Sequence, residues 1–275
     1  MKLKEILYGV GIKPATKEYS FDLDSFVLPR EGEIRYARWR HPKEQRKEIS
    51  QGAVDALRRF LREGDVAIDI GAHTGDSTLP IALAVGPTGR VFALEPNRYA
   101  FKVLLANCAL NRKQTNIYPL MFAATPTDGE FEFEYSDSGF CNGGLHEGID
   151  PWTHAHFFKL PVVGKNLVTY LKTEFPDTLP RIRYIKIDTE GFDRSVAASL
   201  RELLELTHPY IKSEIYQYMP ADQRRGYYED LHSLGYRIHK FNNDQDYTGA
   251  ELGPDDLVKW KHFDIFAVPA ERSRS

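Results

Sequence analysis

The sequence predicts an α/β fold built on a mainly parallel sheet. After about residue 50, segments with a strand pattern alternate with segments of helical period, which is the order expected of a parallel sheet with connecting helices. One buried-strand pattern, Val66–Ile70, runs directly into a turn containing Gly71 and Gly75 and then into a helix. The chain has 275 residues, of which 42% are hydrophobic, and this length suffices for one large core.

The chain divides into an extension and one main domain. Residues 1–48 mix aromatic and charged side chains without a clean period, so we expect an N-terminal extension that caps a ligand site. Residues 49–270 form the expected domain, which begins with a helix that carries an apolar face and stops at Gly64. Between about residues 130 and 165 the alternating pattern EFEFEYSD predicts an inserted antiparallel strand, followed by a glycine-rich loop that shapes a substrate pocket.

The remaining core elements follow the same alternation. We expect helices in three segments, STLPIALAVG, YAFKVLLANCALN and SVAASLRELLEL. Strands are expected in six segments besides Val66–Ile70: GRVFALEPN, TNIYPLMFAA, IRYIKIDTEGFD, PYIKSEIY, GYRIHKF and HFDIFAVP. The two Arg-Arg pairs, at 58–59 and 224–225, are interpreted as solvated helix faces.

Composition disfavours several classes of partner. A net charge of −3 and a pI near 6.3 provide no general attraction to nucleic acid or to an anionic membrane. Two cysteines, Cys108 and Cys141, form neither a zinc ligand set nor a disulfide framework and suit a reducing compartment. The N-terminal apolar run is too short for a signal peptide, and no segment reaches the ~20 apolar residues of a membrane span, so we expect a cytoplasmic protein.

The turn after Val66–Ile70 favours one kind of cofactor over another. A dinucleotide fingerprint starting at Gly71 would need glycines at positions 73 and 76, where the chain has His73 and Asp76, so NAD is disfavoured. Glu95 ends the next strand, where a carboxylate can accept hydrogen bonds from two ribose hydroxyls. The loop amides suit the carboxylate of an amino-acid moiety, with its ammonium near Asp69. These features together predict a site for S-adenosylmethionine.

Four segments together resemble the FkbM family of S-adenosylmethionine-dependent methyltransferases. They are VAIDIGAHTGDST, VFALEPNRYAFKVLLANCALN, LVTYL and YIKIDTEGFDRSVAASL, and the resemblance spans roughly residues 60–216. It implies a class I methyltransferase fold, which is Rossmann-like, with a mainly parallel seven-stranded sheet and helices on both faces. It also implies methylation of hydroxyls on sugars or polyketide-type natural products.

The resemblance also assigns cofactor contacts. His73 stands where the family commonly has asparagine, and its own contact with the methionine moiety is left open. The residues assigned to cofactor binding are Asp69, Gly71, Ala72, His73, Gly75 and Glu95, with Asn97 nearby.

The motif KIDTEG supplies the first candidates for catalysis. Strand alternation places Lys186 and Asp188 on one face, with Ile185 and Ile187 on the other. Methyl transfer to an alcohol requires alignment of oxygen, carbon and sulfur and removal of the hydroxyl proton. Asp188 or Glu190 is the expected base or sugar ligand. A purely structural role for Glu190, capping the helix entered at Gly191, stays open.

Three further residue sets complete the candidate site. Glu214 ends a strand and would lie beside Asp188 if the two strands are neighbours, where the two carboxylates could hold Mg²⁺. His146 is a second candidate for proton transfer, and His154 with His156 could line the pocket or bind a metal. The aromatic side chains Trp152, Phe157 and Phe158 suit stacking on a sugar ring, although a core role is equally consistent with them.

The leading hypothesis is an S-adenosylmethionine-dependent O-methyltransferase that acts on a hydroxyl of a saccharide or glycosylated natural product. A methyltransferase for a non-sugar acceptor, such as a polyketide or a lipid, is the first alternative. A non-catalytic S-adenosylmethionine-binding regulator is the second, and the three acids Asp188, Glu190 and Glu214 argue against it. The expected partner is a small molecule or saccharide, and homo-oligomerisation is left open.

Overall fold

The structure, a computed structural model, describes residues 12–141, 143–144 and 158–270. Within these ranges the strands are β1 (Phe21–Leu28), β2 (Gly32–Trp39), β3 (Val66–Ile70), β4 (Arg90–Leu94), β5 (Ile117–Leu120), β6 (Ala123–Ala124), β7 (Gly129–Tyr135), β8 (Gly143–Gly144), β9 (Phe158–Lys165), β10 (Ile182–Ile187), β11 (Tyr210–Ile215), β12 (Tyr236–Lys240) and β13 (Phe263–Pro269). The α-helices are α1 (Gln51–Leu57), α2 (Thr78–Val85), α3 (Arg98–Leu110), α4 (Leu167–Glu174), α5 (Asp193–Ser199), α6 (Arg201–Thr207) and α7 (Ala221–Ser233). Short 3₁₀ helices span Pro176–Arg181 and Asp256–Val258.

The predicted seven-stranded, mainly parallel sheet is confirmed. Its strand order is β12-β13-β11-β10-β3-β4-β5, and β13 is antiparallel to both of its neighbours while the other pairings are parallel. In register, Ile187 of β10 lies between Ile70 of β3 and Ser213 of β11. The residues that follow these strands therefore emerge at one edge of the sheet.

Apolar side chains cover both faces of the sheet. Strand β3 is buried along its whole length, as expected of a central parallel strand. One buried cluster joins Ile68 and Ile185 to side chains of α4, α5, α6 and α7, and a second joins Ala67 and Tyr184 to α1 and α2. Helices on both faces, as predicted, shield the sheet from water.

The strand order reverses between β3 and β10, and the turn after β3 lies at this reversal. Gly71 has φ +78, and a Cβ atom there would lie 1.9 Å from the carbonyl oxygen of Asp188. Only glycine allows both the left-handed backbone and the close approach of the two strand ends. Ligands of open α/β sheets bind in the crevice that such a reversal creates.

The N-terminal extension forms a hairpin of β1 and β2 that packs on α3. Asn107 of α3 donates to the carbonyl oxygen of Ala37 (3.0 Å), and its side-chain oxygen accepts from the Ala37 amide. The hydroxyls of Tyr36 and Thr74 lie 2.8 Å apart, so the hairpin also contacts the loop between β3 and α2. The extension is thereby fixed to the main domain by buried polar contacts.

The predicted antiparallel insertion is confirmed within the described residues. Strand β7 pairs antiparallel with β9 and with the short β8, and β6 joins the other side of β9 to give a second, four-stranded sheet. The segment predicted as the third core strand divides between the sheets: β5 stays at the edge of the main sheet, and Ala123–Ala124 enters the second one. Pro119 lies in β5, which is an edge strand, where the missing amide proton is tolerated.

Two helix predictions were wrong in extent. The first helix ends at Leu57 and not at Gly64, because the following amides donate to carbonyls three residues back, Arg59 to Ala56 and Phe60 to Leu57. The segment SVAASLRELLEL forms two helices, α5 and α6. The break falls at Leu200, which is fully buried and lies between the two helices as the C-cap of α5 and the N-cap of α6.

The interpretation of both arginine pairs as solvated faces was wrong for one residue of each. Arg58 pairs with Glu31 and also donates to the Leu83 carbonyl (2.9 Å). Arg224 of α7 is buried, and its guanidinium donates to five backbone carbonyls, those of Tyr216, Met219, Leu257, Trp260 and Lys261. These hydrogen bonds link α7 to the segment that precedes it and to the connection between β12 and β13.

We expect Arg224→Met to lower the free energy of unfolding by at least about 3 kcal/mol, because five backbone carbonyls lose a charged donor and two of these hydrogen bonds are buried. Arg225→Met is the matched control. Arg225 is exposed and pairs with Asp255 at the surface (2.9 Å), so its loss should cost under about 1 kcal/mol. Urea unfolding of both variants measures the two costs, and equal costs would contradict the structural role of Arg224.

Candidate active site

A cavity of about 710 Å³ opens at the carboxyl ends of β3, β4 and β10. Its wall includes Gly71 and His73 of the turn after β3, Glu95 after β4, and Asp188 and Glu190 after β10. The extension contributes residues 43–48, and the insertion contributes side chains of β7 together with Cys141 and β8. Its position at the strand-order reversal and its size are those of a small-molecule site.

Glu95 joins the turn after β3 to the start of α3. Its Oε2 accepts a hydrogen bond from the His73 amide and its Oε1 accepts one from the Asn97 amide, both at 2.8 Å. Burial raises the pKa of Glu95, and the charge of His73 and the amide bonds lower it less. The carboxylate is therefore fixed at the cavity wall, as the predicted contact with ribose requires.

Four of the predicted cofactor residues lie behind the cavity wall. Asp69 is fully buried, and its Oδ2 accepts from the hydroxyls of Ser77 (2.8 Å) and Thr78 (2.6 Å). The Asn97 side chain accepts from the Tyr99 amide and donates to the Phe140 carbonyl. Ala72 is buried, and a Cβ at Gly75 would lie 2.9 Å from Leu104 of α3. These residues support the cavity wall through packing and hydrogen bonds. Their direct contact with a cofactor stays a prediction.

Lys186 is buried among acids at the reversal. Its Nζ lies 3.1 Å from Asp188 Oδ2 and 3.3 Å from Asp69 Oδ1, and it donates to the Gly71 carbonyl at 3.2 Å. Burial lowers the pKa of Lys186, but the charges of Asp188 and Asp69 outweigh it and raise that pKa. Burial likewise opposes ionisation of Asp188, yet Lys186 holds its pKa below the ordinary value. The predicted placement of Lys186 and Asp188 on one face is confirmed by this ion pair.

Glu190 has a different electrostatic state from Asp188. Burial, followed by the negative charge of Asp188, raises the pKa of Glu190 to about 7. Its backbone lies in the left-handed region at φ +56, which costs an ordinary residue energy and is typical of functional sites. Helix α5 has Phe192 as its N-cap and no side-chain hydrogen bond to that cap, so the capping role considered for Glu190 is not observed among the described residues. The amide of Gly191, which precedes the helix, donates to Asp193 Oδ2 (3.2 Å).

Glu214 follows the predicted neighbour relation but does not line the cavity. It lies on β11 beside β10, and its Oε1 is 3.3 Å from His262 Nε2. Burial and then the charges of Asp188 and Asp193 raise the pKa of Glu214 to about 11. The carboxyl group therefore carries a proton at neutral pH, which makes it unsuitable as a base.

Sequence reasoning expected the extension to cap a ligand site but did not identify which of its residues reach the cavity or what they contact. Lys47 Nζ lies 3.0 Å from Asp76 Oδ2, and Glu44 Oε2 lies 3.8 Å from His73 Nδ1. Burial opposes ionisation of Asp76, but the positive charge and hydrogen bond of Lys47, together with the charges of His73 and Lys186, lower the pKa of Asp76. The spacing of residues within the sequence HPKEQRKE does not predict that Lys47 contacts Asp76 or that Glu44 lies near His73. The only local indication of an unusual contact here was that His73 and Asp76 stand where a dinucleotide-binding loop has glycine.

Some predicted residues fall outside the described ranges. They are His146, Trp152, His154, His156 and Phe157. Phe158 begins β9 and is buried in the cluster that joins the insertion to α3, which supports the core role for this side chain.

The chain belongs to the methyltransferase FkbM domain family, whose pattern it matches over residues 69–243. The expected class, an S-adenosylmethionine-dependent methyltransferase with the class I fold, is thereby confirmed. The match extends beyond the region 60–216 in which the resemblance was recognised and takes in α7 and β12. The extension lies outside it.

Several solved structures are similar to this chain at low sequence identity. An S-adenosylmethionine-dependent O-methyltransferase from Thermotoga maritima is 14% identical, with 82% of this chain and 67% of that chain covered and a TM-score of 0.44. A methyltransferase FkbM from Methylobacillus flagellatus is 16% identical, with 76% and 44% covered and a TM-score of 0.41. Aeropyrum pernix fibrillarin with natively bound S-adenosyl-L-methionine is 12% identical, with 92% and 97% covered and a TM-score of 0.44.

A comparison with curated proteins finds none that matches this chain. Among the helices of the described residues, none is long and apolar enough to cross a membrane.

We expect Lys186→Met to lower the free energy of unfolding by about 3–5 kcal/mol, because Asp69 is left ionised in a fully buried position. Lys212→Met is the matched control. Lys212 occupies the position on β11 that is in register with Lys186 on β10. Its ion-pair partner is Asp264, whose carboxylate is 3.1 Å away and whose side chain is 29% exposed, so Lys212→Met should lower the free energy of unfolding clearly less. Urea unfolding at neutral pH measures both. A Lys186 variant as stable as the wild type would contradict the central role of this ammonium.

Proposed function

We propose that the protein is an O-methyltransferase that transfers a methyl group to a hydroxyl of a saccharide or glycosylated natural product. The observation that carries the proposal is a pair of acids of different strength at one cavity edge. Asp188 is held ionised by Lys186, while Glu190 has a pKa of about 7. A group that gains or loses its proton near neutral pH suits the removal of a proton from a hydroxyl.

S-adenosylmethionine fits the residues at the strand ends. The turn from Gly71 to His73 and the fixed Glu95 carboxylate border the cavity and are the groups that would hold it. When bound, it supplies a methyl group on a positively charged sulfur. Lys186 and Glu95 stay fixed by their own hydrogen bonds, so the site is formed before any ligand enters.

The chain's own residues divide the chemical work. Glu190 accepts the proton of the acceptor hydroxyl as that oxygen becomes nucleophilic. Asp188 remains ionised and accepts a hydrogen bond from a neighbouring hydroxyl, which orients the acceptor. Vicinal hydroxyls of a sugar match two adjacent carboxylates, and this match supports a saccharide over an apolar acceptor. Glu214 keeps its proton and acts in neither step.

The Mg²⁺ considered at Asp188 and Glu214 does not fit the residues present, and no step depends on it. The Lys186 ammonium already supplies a positive charge 3.1 Å from Asp188 Oδ2. Glu214 is protonated and lies outside the cavity wall. A protonated carboxyl group is a poor ligand for a hard cation.

A cytoplasmic location is part of the proposal. Its support is that Cys108 and Cys141 are both buried and both free. Free thiols persist in a reducing compartment.

Incubation with methyl-labelled S-adenosylmethionine and defined acceptor panels tests the acceptor class. The panels are free saccharides and glycosides, the matching aglycones, and lipids. We expect label on a sugar hydroxyl, located by mass spectrometry, and no increase in that transfer when Mg²⁺ is added. Label only on aglycones or lipids would overturn the saccharide assignment. Calorimetric binding of S-adenosylmethionine without label on any panel or on a cell extract would favour a non-catalytic binder.

The turnover rate should rise with pH through about 7, because Glu190 accepts a proton only when it is ionised. Glu190→Gln should lower kcat by about 10²- to 10⁴-fold and remove this rising limb. Asp188→Asn should retain a rising limb but move it to lower pH, since the charge of Asp188 raises the pKa of Glu190. A wild-type pH profile retained in the Glu190 variant would exclude Glu190 as the base.

A further inference from the structure

We propose that Glu44, His73 and Cys141 form a binding site for a transition-metal ion, with Zn²⁺ as the ion that their chemistry favours. One ligand atom of each residue lies within 4.8 Å of the other two. Glu44 Oε2 is 3.8 Å from His73 Nδ1 and 3.9 Å from Cys141 Sγ. The three residues come from three separate segments, the extension, the turn after β3 and the insertion.

The separations are close to those of a coordinated ion. Bond lengths of about 2.0–2.3 Å in a tetrahedral zinc site place its ligand atoms roughly 3.3–3.8 Å apart. Small side-chain movements would therefore bring the three atoms to bonding distance. Imidazole, thiolate and carboxylate together select zinc and similar borderline metals over Mg²⁺, which prefers oxygen ligands.

Unsatisfied polar atoms in the cluster point to a missing partner. The Glu44 side chain is only 5% exposed, and within the described residues no donor hydrogen-bonds to its Oε1. His73 Nε2 is also buried without a hydrogen bond from the same residues, but Nδ1 is the imidazole nitrogen that faces Glu44 Oε2, at 3.8 Å. Buried polar atoms are nearly always paired, and a metal ion held by the Glu44 carboxylate would give its Oε1 a partner. Lys47 Nζ forms an ion pair with Glu44 Oε1 at 3.6 Å and offsets part of its charge, but this separation is beyond hydrogen-bond distance.

The surrounding contacts fix all three ligands in direction. His73 has φ +48, and Glu95 holds its amide, which leaves the imidazole directed to the extension beside Trp39. The Glu44 amide donates to the His41 carbonyl (3.0 Å), and the His41 ring is 2.9 Å from Asp137 Oδ1. Cys141 follows Phe140, whose φ is +56 and whose carbonyl accepts from Asn97. Such second-layer contacts orient metal ligands.

The three residues also line the cavity. A metal ion held by them would join the extension and the insertion to the turn after β3, and it would border the proposed acceptor site. This site is distinct from the acids after β10, because Asp188 and Glu190 are not part of the cluster. The inference therefore does not depend on the proposed reaction.

Cobalt(II) spectroscopy on the full chain tests the site without any assay of methyl transfer. After treatment with a chelator, titration with Co²⁺ should give one equivalent bound, with a thiolate-to-cobalt charge-transfer band. Addition of Zn²⁺ should remove the band, and Mg²⁺ should not. Cys141→Ser should abolish the band, and Glu44→Gln and His73→Asn should each weaken Co²⁺ binding more than about tenfold.

Cys108→Ala is the matched control, because Cys108 is the other free cysteine and packs in α3 away from the cluster. It should keep the band and the affinity of the wild type. Thermal unfolding of each metal-free variant shows whether the fold is retained. A wild type without the charge-transfer band, or a folded Cys141→Ser protein that keeps it, would overturn the assignment.

Discussion

The ammonium of Lys186 is the interaction on which the rest of the site depends. Two strand ends, those of β3 and β10, meet at the strand-order reversal and bring together three groups with negative partial or full charge: the carbonyl of Gly71, the carboxylate of Asp69 and the carboxylate of Asp188. Without a buried cation these groups would repel one another in a low-dielectric interior. Because Lys186 neutralises Asp69 and keeps Asp188 ionised, the negative charge of Asp188 remains available to raise the pKa of Glu190. Burial is the larger cause of the raised pKa of Glu190, and the charge of Asp188 adds to it, so two carboxyl groups two residues apart acquire different acidities.

The elements of the sheet and the acids at their ends could be predicted from the sequence, because they follow local rules. A buried run ending in Asp69 and Gly71, and another ending in Asp188, place their last residues at one edge once the strands are parallel. The alternation in IRYIKI also gave the correct face for Lys186. The structural roles of residues behind the cavity wall were less predictable, because burial is a property of the assembled fold. Asp69, for example, accepts hydrogen bonds from the hydroxyls of Ser77 and Thr78 and does not border the cavity.

Contacts between distant segments were not predictable from one sequence. Arg224 belongs to a polar helix whose pattern is typical of a solvated face, and its five carbonyl partners lie on loops that no local rule brings together. The same holds for Glu44, His73 and Cys141. Their spacings of 29 and 68 residues match no metal-binding motif, and they meet only because the hairpin of β1 and β2 packs on α3 and the insertion packs on the hairpin. A histidine in place of the family's usual asparagine was the one visible departure.

The cavity is lined both by the region that matches the family and by the extension, which lies outside that region. The sheet supplies Glu95, Lys186, Asp188 and Glu190 from within the matched family region, residues 69–243. The extension lies outside that region, yet it lines the cavity with residues 43–48 and pairs with the turn through Lys47 and Asp76. Under the proposed function, a change in the extension would alter which acceptor fits while leaving Asp188 and Glu190 in place. Asp76 directly follows Gly75, so the Lys47–Asp76 ion pair also joins the extension to the turn after β3, and a change at Lys47 would act on both the cavity wall and that turn.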